Sequence, residues 1–303
     1  MKHIICYSGG HSSAICAIEV CRRYGKENVI LLNHNINSNV EDEDIKRFKK
    51  EIADYLGLEI TFANYNEILD EEKMPNQFEI SIKKKGFKGK NNTEFCTYEL
   101  KTKPFYKYLQ NKFSDKKCVV YYGFDDDEFK RVERRKTILN DIQIMSDFPL
   151  ALWTSKNFNK FKMYLTKKGR NAEAIMRIEN FIDTSDFERT ILSTKEIGIE
   201  PPNVYNVWKH ANCIGCLKAG KQHWYCVYVN RNDVFEEAKK AEKIIGYSII
   251  KGVFLEDLEK DFEKMKKNGV PATEKIPSNL FWKTAKRYTK KNSEDLFPCE
   301  CWS

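Results

Sequence analysis

The chain has 303 residues, 41% of them hydrophobic, with 52 Lys and Arg against 44 Asp and Glu for a net charge of +8. That length suggests one large or two ordinary domains with a substantial core, and the 32% charged residues without repeats or Pro/Gly tracts argue against a disordered chain. No apolar run approaches the ~20 residues of a membrane span, and Met1–Tyr7 reads as a strand rather than a secretory leader, so a cytoplasmic protein with reduced thiols is expected.

In chain order, Lys2–Tyr7 predicts an apolar strand and Ser13–Tyr24 a helix with Ala14, Ala17, Ile18 and Cys21 on one face. Val29–Leu32 predicts a second strand. Asn39 would cap a helix over Glu41–Leu56, ended by Gly57. Leu58–Ala63, Cys118–Tyr122 and Ile142–Met145 predict further strands, with a helix over Asp127–Leu139 between the last two. Strands alternating with helices imply a parallel sheet with right-handed crossovers. Residues 73–97 are basic, Gly-containing and poorly periodic, which predicts a solvated loop or a lid. Beyond Pro149 the rhythm changes. Ser185–Glu188 has capping-box form and predicts a helix running to Gly198. A Cys- and aromatic-rich stretch follows, then predicted helices Val234–Ile245 and Leu255–Asn268, and the tail FPCECWS. The expected division is an α/β domain over 1–150 and a mostly helical region over 151–303 carrying a Cys-rich module.

Between the first strand and first helix lies Ser8-Gly9-Gly10-His11-Ser12-Ser13. A Gly-rich turn there sits at the carboxyl edge of a parallel sheet and at a helix N-terminus, where unpaired amides and the positive dipole end favour phosphate. An ordinary serine-capped Gly-Gly turn would look the same. The Walker pattern is missing. Asn33, with His34 and Asn35, follows the second strand and could edge a base and ribose, or be plain loop. Gly123 closes the strand over Cys118–Tyr122. Arg131 and Arg135, four apart on one helix beside Arg134, could fork onto phosphates or pair with Glu128 on a solvated face. Cys96 lies near Lys101 and Lys103, where a thiolate would have a lowered pKa and could act as a nucleophile; a small buried apolar residue is the alternative. Cys213 and Cys216 form C-x-x-C, and Cys299 and Cys301 form C-x-C. The two pairs could make a four-thiolate site for zinc or a [4Fe-4S] cluster, with His210, His223 and Cys226 as substitutes, or a redox dithiol. Cys6, Cys16, Cys21 and Cys118 read as core. Trp208, Trp224 and Tyr225 could stack bases or pack a small module.

The loop resembles the PP-loop, usually written S-G-G-x-D-S, found in phosphoadenosine-phosphosulfate (PAPS) reductases, ATP pyrophosphatases, tRNA-thiolation enzymes and DNA-sulfur-modification proteins, with Ser12 where most members carry Asp. FCTYELKTKPFYKYL (95–109) and VVYYGFDDDEFKRVERR (119–135) are similar to segments of the PAPS-reductase branch. The resemblance implies a Rossmann-like fold of HUP type and an ATP- or PAPS-like adenine nucleotide, with Mg²⁺, held by Ser8–Ser13. It further implies that Lys101, Arg131 and Arg134 neutralise phosphate and that Cys96, Lys101 and Cys301 serve catalysis. The implied activity is ATP pyrophosphatase, adenylation or sulfur-transfer chemistry on an unknown acceptor, tRNA or DNA among the candidates. A PAPS- or adenylyl-sulfate-reducing enzyme is the alternative, with Cys301 as the thiol, though Trp302 and the missing histidine depart from that branch's tail. A non-catalytic nucleotide- or nucleic-acid-binding protein is the third.

Overall fold

A computed structural model describes residues 1–90, 92–172, 175, 189–211 and 213–294. The chain divides into two compact units, each assembled from separate stretches. The first comprises Met1–Asn35, Glu43–Leu69 and Lys103–Asn203; the second comprises Ile36–Asp42, Asp70–Thr102 and Val204–Ser303.

The first unit is α/β. Its strands are β1 (Lys2–Cys6), β2 (Val29–Asn33), β3 (Ile60–Phe62), β4 (Cys118–Tyr121) and β5 (Met145–Asp147), in the order β3-β2-β1-β4-β5 with every pairing parallel. In register, Ile4 of β1 lies beside Ile30 on one side and Val120 on the other. Successive strand residues point to opposite faces, and the core divides accordingly. Ile4, Leu32, Cys118 and Val120 share one cluster with Phe105, Leu109, Val132, Leu139 and Phe161. Those last five come from α4 (Lys103–Lys112), α5 (Phe129–Asp141) and α6 (Ser155–Lys167). Ile5, Leu31, Val119 and Tyr121 share the other with Ala14, Ala17, Ile18, Phe48 and Ile52, from α1 (His11–Tyr24) and α2 (Glu43–Leu56). Helices on both faces explain why these strands read as unbroken apolar runs. Each fully buried Val, Leu, Ile or Phe side chain among them contributes about 1.5–3 kcal/mol.

Several sequence expectations shift. The fifth strand is displaced from Ile142–Met145 to Met145–Asp147, because the buried carboxylate of Asp147 is satisfied by Trp153 Nε1 and Phe148 N, each at 2.8 Å. The second helix starts at Glu43, so Asn39 lies outside it. Residues 73–97 are not a plain loop: α3 (Gln77–Lys83) starts from a full capping box between Asn76 and Glu79 and buries Phe78 and Ile80. Ser185–Glu188 lie outside the described residues, and 189–198 contains only a 3₁₀ turn over Thr194–Ile197.

The second unit is helical: α3, a turn at Phe95–Thr97 continuing as a π-helix over Tyr98–Thr102, then α7 (Lys221–Asn230), α8 (Asn232–Ile245), α9 (Leu255–Lys267) and α10 (Ser278–Glu294). Trp208, Trp224 and Tyr225 are buried at 6%, 0% and 0% exposure. They pack this unit and have no free face for a base. Among the described residues no helix is long and apolar enough to cross a membrane.

Candidate functional site

β1 ends at Cys6, and α1 begins at His11 with Gly10 at its cap, so Ser8–Ser13 lies at the carboxyl end of the central strand. There β2 flanks β1 on one side and β4 on the other, the point at which the strand order reverses and where doubly wound sheets take their ligands. Helix α1 has no side-chain cap and no acidic residue in its first turn, whereas α3 and α6 are capped by Asn76 and Thr154. Arg22 and Arg23 complement the dipole at its other end.

Two close contacts shape the loop. Gly9 is buried with φ +80°, and a Cβ there would come within 2.6 Å of Lys49 Cγ and 2.8 Å of Ile45 Cγ2, both on α2. Gly123, just after β4, lies so near that a Cβ would come within 2.4 Å of Ser12 O and 2.8 Å of Ser13 Cα. The turn after β4 therefore rests on the first turn of α1. It also delivers Asp125, whose Oδ2 accepts the Ser12 hydroxyl proton at 2.9 Å.

Next to the loop, Asn33 donates through Nδ2 to Tyr7 O at 2.5 Å. Asn33 Oδ1 and Asn35 Oδ1 are buried without a hydrogen-bond partner. Unpaired buried acceptors cost about 1–3 kcal/mol each and call for an explanation; a ligand N–H or O–H would supply one. His34 Nδ1 is engaged with Ala63 O.

The segment from Arg189 to Asn203 runs along α1 and α2. Buried Glu19 accepts from Thr190 N at 2.8 Å and Thr190 Oγ1 at 2.6 Å, while Thr194 N donates to His11 Nε2 at 3.3 Å. Burial, with Arg189 adding to it, holds the His11 imidazole below its usual pKa. The backbone N–H donation to Nε2 agrees with a neutral ring. Arg189, Asp125, Asp126, Glu19, Trp153 and Thr154 line a cleft of about 200 Å³ that shares Asp125 with the loop.

Two of the three arginines are engaged. Arg131 pairs with Glu128 and lies 4.0 Å from the centre of the Phe124 ring, and Arg135 stacks over Tyr122 at 5.5 Å. Arg134 is exposed.

In the second unit the structure brings Cys96 to Cys213 and Cys216, close enough for their charges to act on one another and on Lys101. Gln77 Nε2 holds the C-x-x-C turn through Ile214 O at 2.8 Å, and Cys216 N donates to His223 Nε2 at 3.2 Å. His223 Nδ1 faces Glu274 at 2.7 Å, so both ring nitrogens are occupied and it does not substitute as a ligand. Cys226 is fully buried. The lowered thiol pKa expected for Cys96 is reversed: burial first, then the Cys213 and Cys216 charges, push it up to about 12 despite Lys101. Conversely the Cys213 charge holds Lys101 above its usual value. A neutral thiol is a poor nucleophile, which removes the reason for assigning Cys96 that role. Among the described residues no group of three or more His, Cys, Asp or Glu is arranged to hold a metal ion, and Cys299 and Cys301 lie outside those residues. Cys16, Cys21 and Cys118 are core as expected, while Cys6 is half-buried.

A scan against protein-family models and searches of curated proteins and of solved structures find no match for this chain.

Proposed function

We propose that the first unit binds an adenine nucleotide at Ser8–Ser13, as a PP-loop protein of Rossmann-like fold, and uses it in pyrophosphate-releasing adenylation or sulfur transfer. The observation that carries this reading is the position of the Gly9–Gly10 turn at the carboxyl end of β1, where β2 and β4 diverge and an uncapped helix begins. The orphaned Asn33 and Asn35 oxygens support it, since a base amine or ribose hydroxyl would satisfy them. Phosphate held by the backbone amides would stabilise charge developing on a leaving pyrophosphate. Incubation with ATP and Mg²⁺ should give saturable binding and release of AMP and pyrophosphate. Binding without turnover would favour a non-catalytic nucleotide-binding protein, and neither binding nor turnover would reject the reading.

The second unit is proposed to carry zinc or a [4Fe-4S] cluster on Cys213 and Cys216, with Cys299 and Cys301 completing the set. The C-x-x-C turn, fixed by Gln77 and by Ile214 N donating to Val40 O at 2.8 Å, supports this. Anaerobically purified protein should contain one equivalent of zinc or four of iron, which the Cys213→Ser/Cys216→Ser variant lacks. Metal content unchanged by the double substitution excludes these ligands.

A further inference from the structure

The three serine hydroxyls of the loop have one proton each, and the structure accounts for all three. Ser13 Oγ donates to Gly10 O at 2.7 Å, an acceptor that leaves no other choice of direction. With that proton committed, Ser8 Oγ must be the donor to Ser13 Oγ, at 3.3 Å. Ser12 Oγ donates to the carboxylate of Asp125 at 2.9 Å. A hydroxyl carries one proton and two lone pairs, so Ser12 and Ser13 have no proton left for a bound oxyanion, while the long Ser8 contact commits its proton only weakly. What Ser12 and Ser13 offer outward is oxygen lone pairs.

We propose that Ser12 Oγ and the Asp125 carboxylate are the protein oxygens that take the divalent cation of a cation–polyphosphate complex, while backbone amides of the loop hold the phosphates. The proposal rests on the nucleotide reading above. Mg²⁺ keeps several waters and commonly needs only one or two carboxylates besides the phosphate oxygens, and a loop hydroxyl serves it in other phosphate-binding loops. A shared site of that kind needs no cluster of three acidic or imidazole ligands, which agrees with the absence of one among the described residues. Asp125 is placed for the task. The Gly123 contact with Ser12 O sets the approach of its turn, and Asp125 N donates to Glu128 Oε2 at 3.1 Å. Its side chain retains 42% exposure, so a ligand can reach it. Arg189 Nη1 stands 4.0 Å from Oδ1, beside the carboxylate without enclosing it. The loop pattern puts an aspartate at position 12 in most PP-loops; here the carboxylate would arrive from the turn after β4 and reach the same oxygen.

The test is calorimetric titration of the full chain with ATP, once with Mg²⁺ and once with EDTA, with circular dichroism as the folding control. Wild type should bind ATP more tightly with Mg²⁺. Asp125→Asn, which keeps an acceptor for Ser12 but no charge, should lose about ten-fold or more of the Mg²⁺-supported affinity while metal-free affinity holds. Asp125→Ala, which also frees the Ser12 proton, should bind metal-free ATP as well as or better than wild type. The exchange Ser12→Asp/Asp125→Ser should recover the Mg²⁺ preference. Wild-type Mg²⁺ preference in Asp125→Asn would overturn the proposal, as would a wild type indifferent to Mg²⁺; both leave the nucleotide reading standing. A wild type that binds no ATP in either buffer overturns both.

Discussion

Gly123→Ala should destabilise the first unit by about 1–3 kcal/mol, the range for forcing an extra carbon into a packed site, and should abolish ATP binding. The added carbon would meet Ser12 O at 2.4 Å, Ser12 C at 2.6 Å and Ser13 Cα at 2.8 Å. All three are backbone atoms of the first turn of α1, so no side chain can swing aside. Either β4 and its turn retreat, or α1 shifts and carries Ser12 away from Asp125. Both outcomes spoil the amide geometry of the loop, which explains why stability and binding should fall together. Equilibrium denaturation and ATP titration of the variant check this. A variant with wild-type melting and wild-type affinity would show that the two turns do not touch.

Lowering the pH from 6.5 to 4 should cost the fold roughly 3 kcal/mol through His3 alone, from a difference of 6.5 − 4 = 2.5 pKa units at ~1.36 kcal/mol each. His3 is 5% exposed, its Nδ1 lies 2.8 Å from Tyr121 Oη, and its ring stacks on Tyr24 at 4.0 Å. Burial pushes its pKa down to about 4 from an ordinary 6.5. Between those values the unfolded chain binds the proton and the folded chain does not, so stability is complete above 6.5 and declines as the pH drops. His11, also held low by burial, acts in the same direction. Asp147 and Glu242, whose pKa values burial raises, act in the opposite one. Urea denaturation at pH 7 and 4.5 of wild type and His3→Asn separates these contributions: the variant should show a shallower decline. Equal declines in both proteins would assign the acid sensitivity elsewhere.

The sheet was legible where burial on both faces leaves continuous apolar runs, as in β1, β2 and β4, and α1 and α2 followed from their helical spacing. β5 was misplaced because Ser146 and Asp147 are polar, and Trp153, the side-chain partner of Asp147, lies beyond the strand. Helix α3 was hidden by the lysine-rich run after it, although the Asn76–Glu79 pair three residues apart was a readable start signal. The glycine loop could be found from its place in the chain, but its hydroxyl directions could not. Nor could sequence distinguish Asp125 from Asp126 and Asp127, since adjacency makes the three acids equivalent until a fold selects one. The approach of Cys96 to Cys213 and Cys216 depends on distant parts of one helical unit, a long-range fact that no local pattern encodes. Arg131 and Arg135 had the spacing for anion capture, yet the neighbouring aromatic rings and Glu128 engage them.

The interleaving of the two units has a consequence for how the chain emerges from the ribosome. Its first three strands are made early, but the stretch 70–102 that belongs to the other unit is synthesised before β4 and β5. A nascent chain stopped at residue 150 would have every strand yet lack Phe161 and Leu165 on one face and Ile191, Ile197 and Ile199 on the other. Its exposed apolar faces would invite aggregation. Release of either unit as an autonomous fragment would need internal splicing at both the 36–42 and the 70–102 excursions, rather than a single cut.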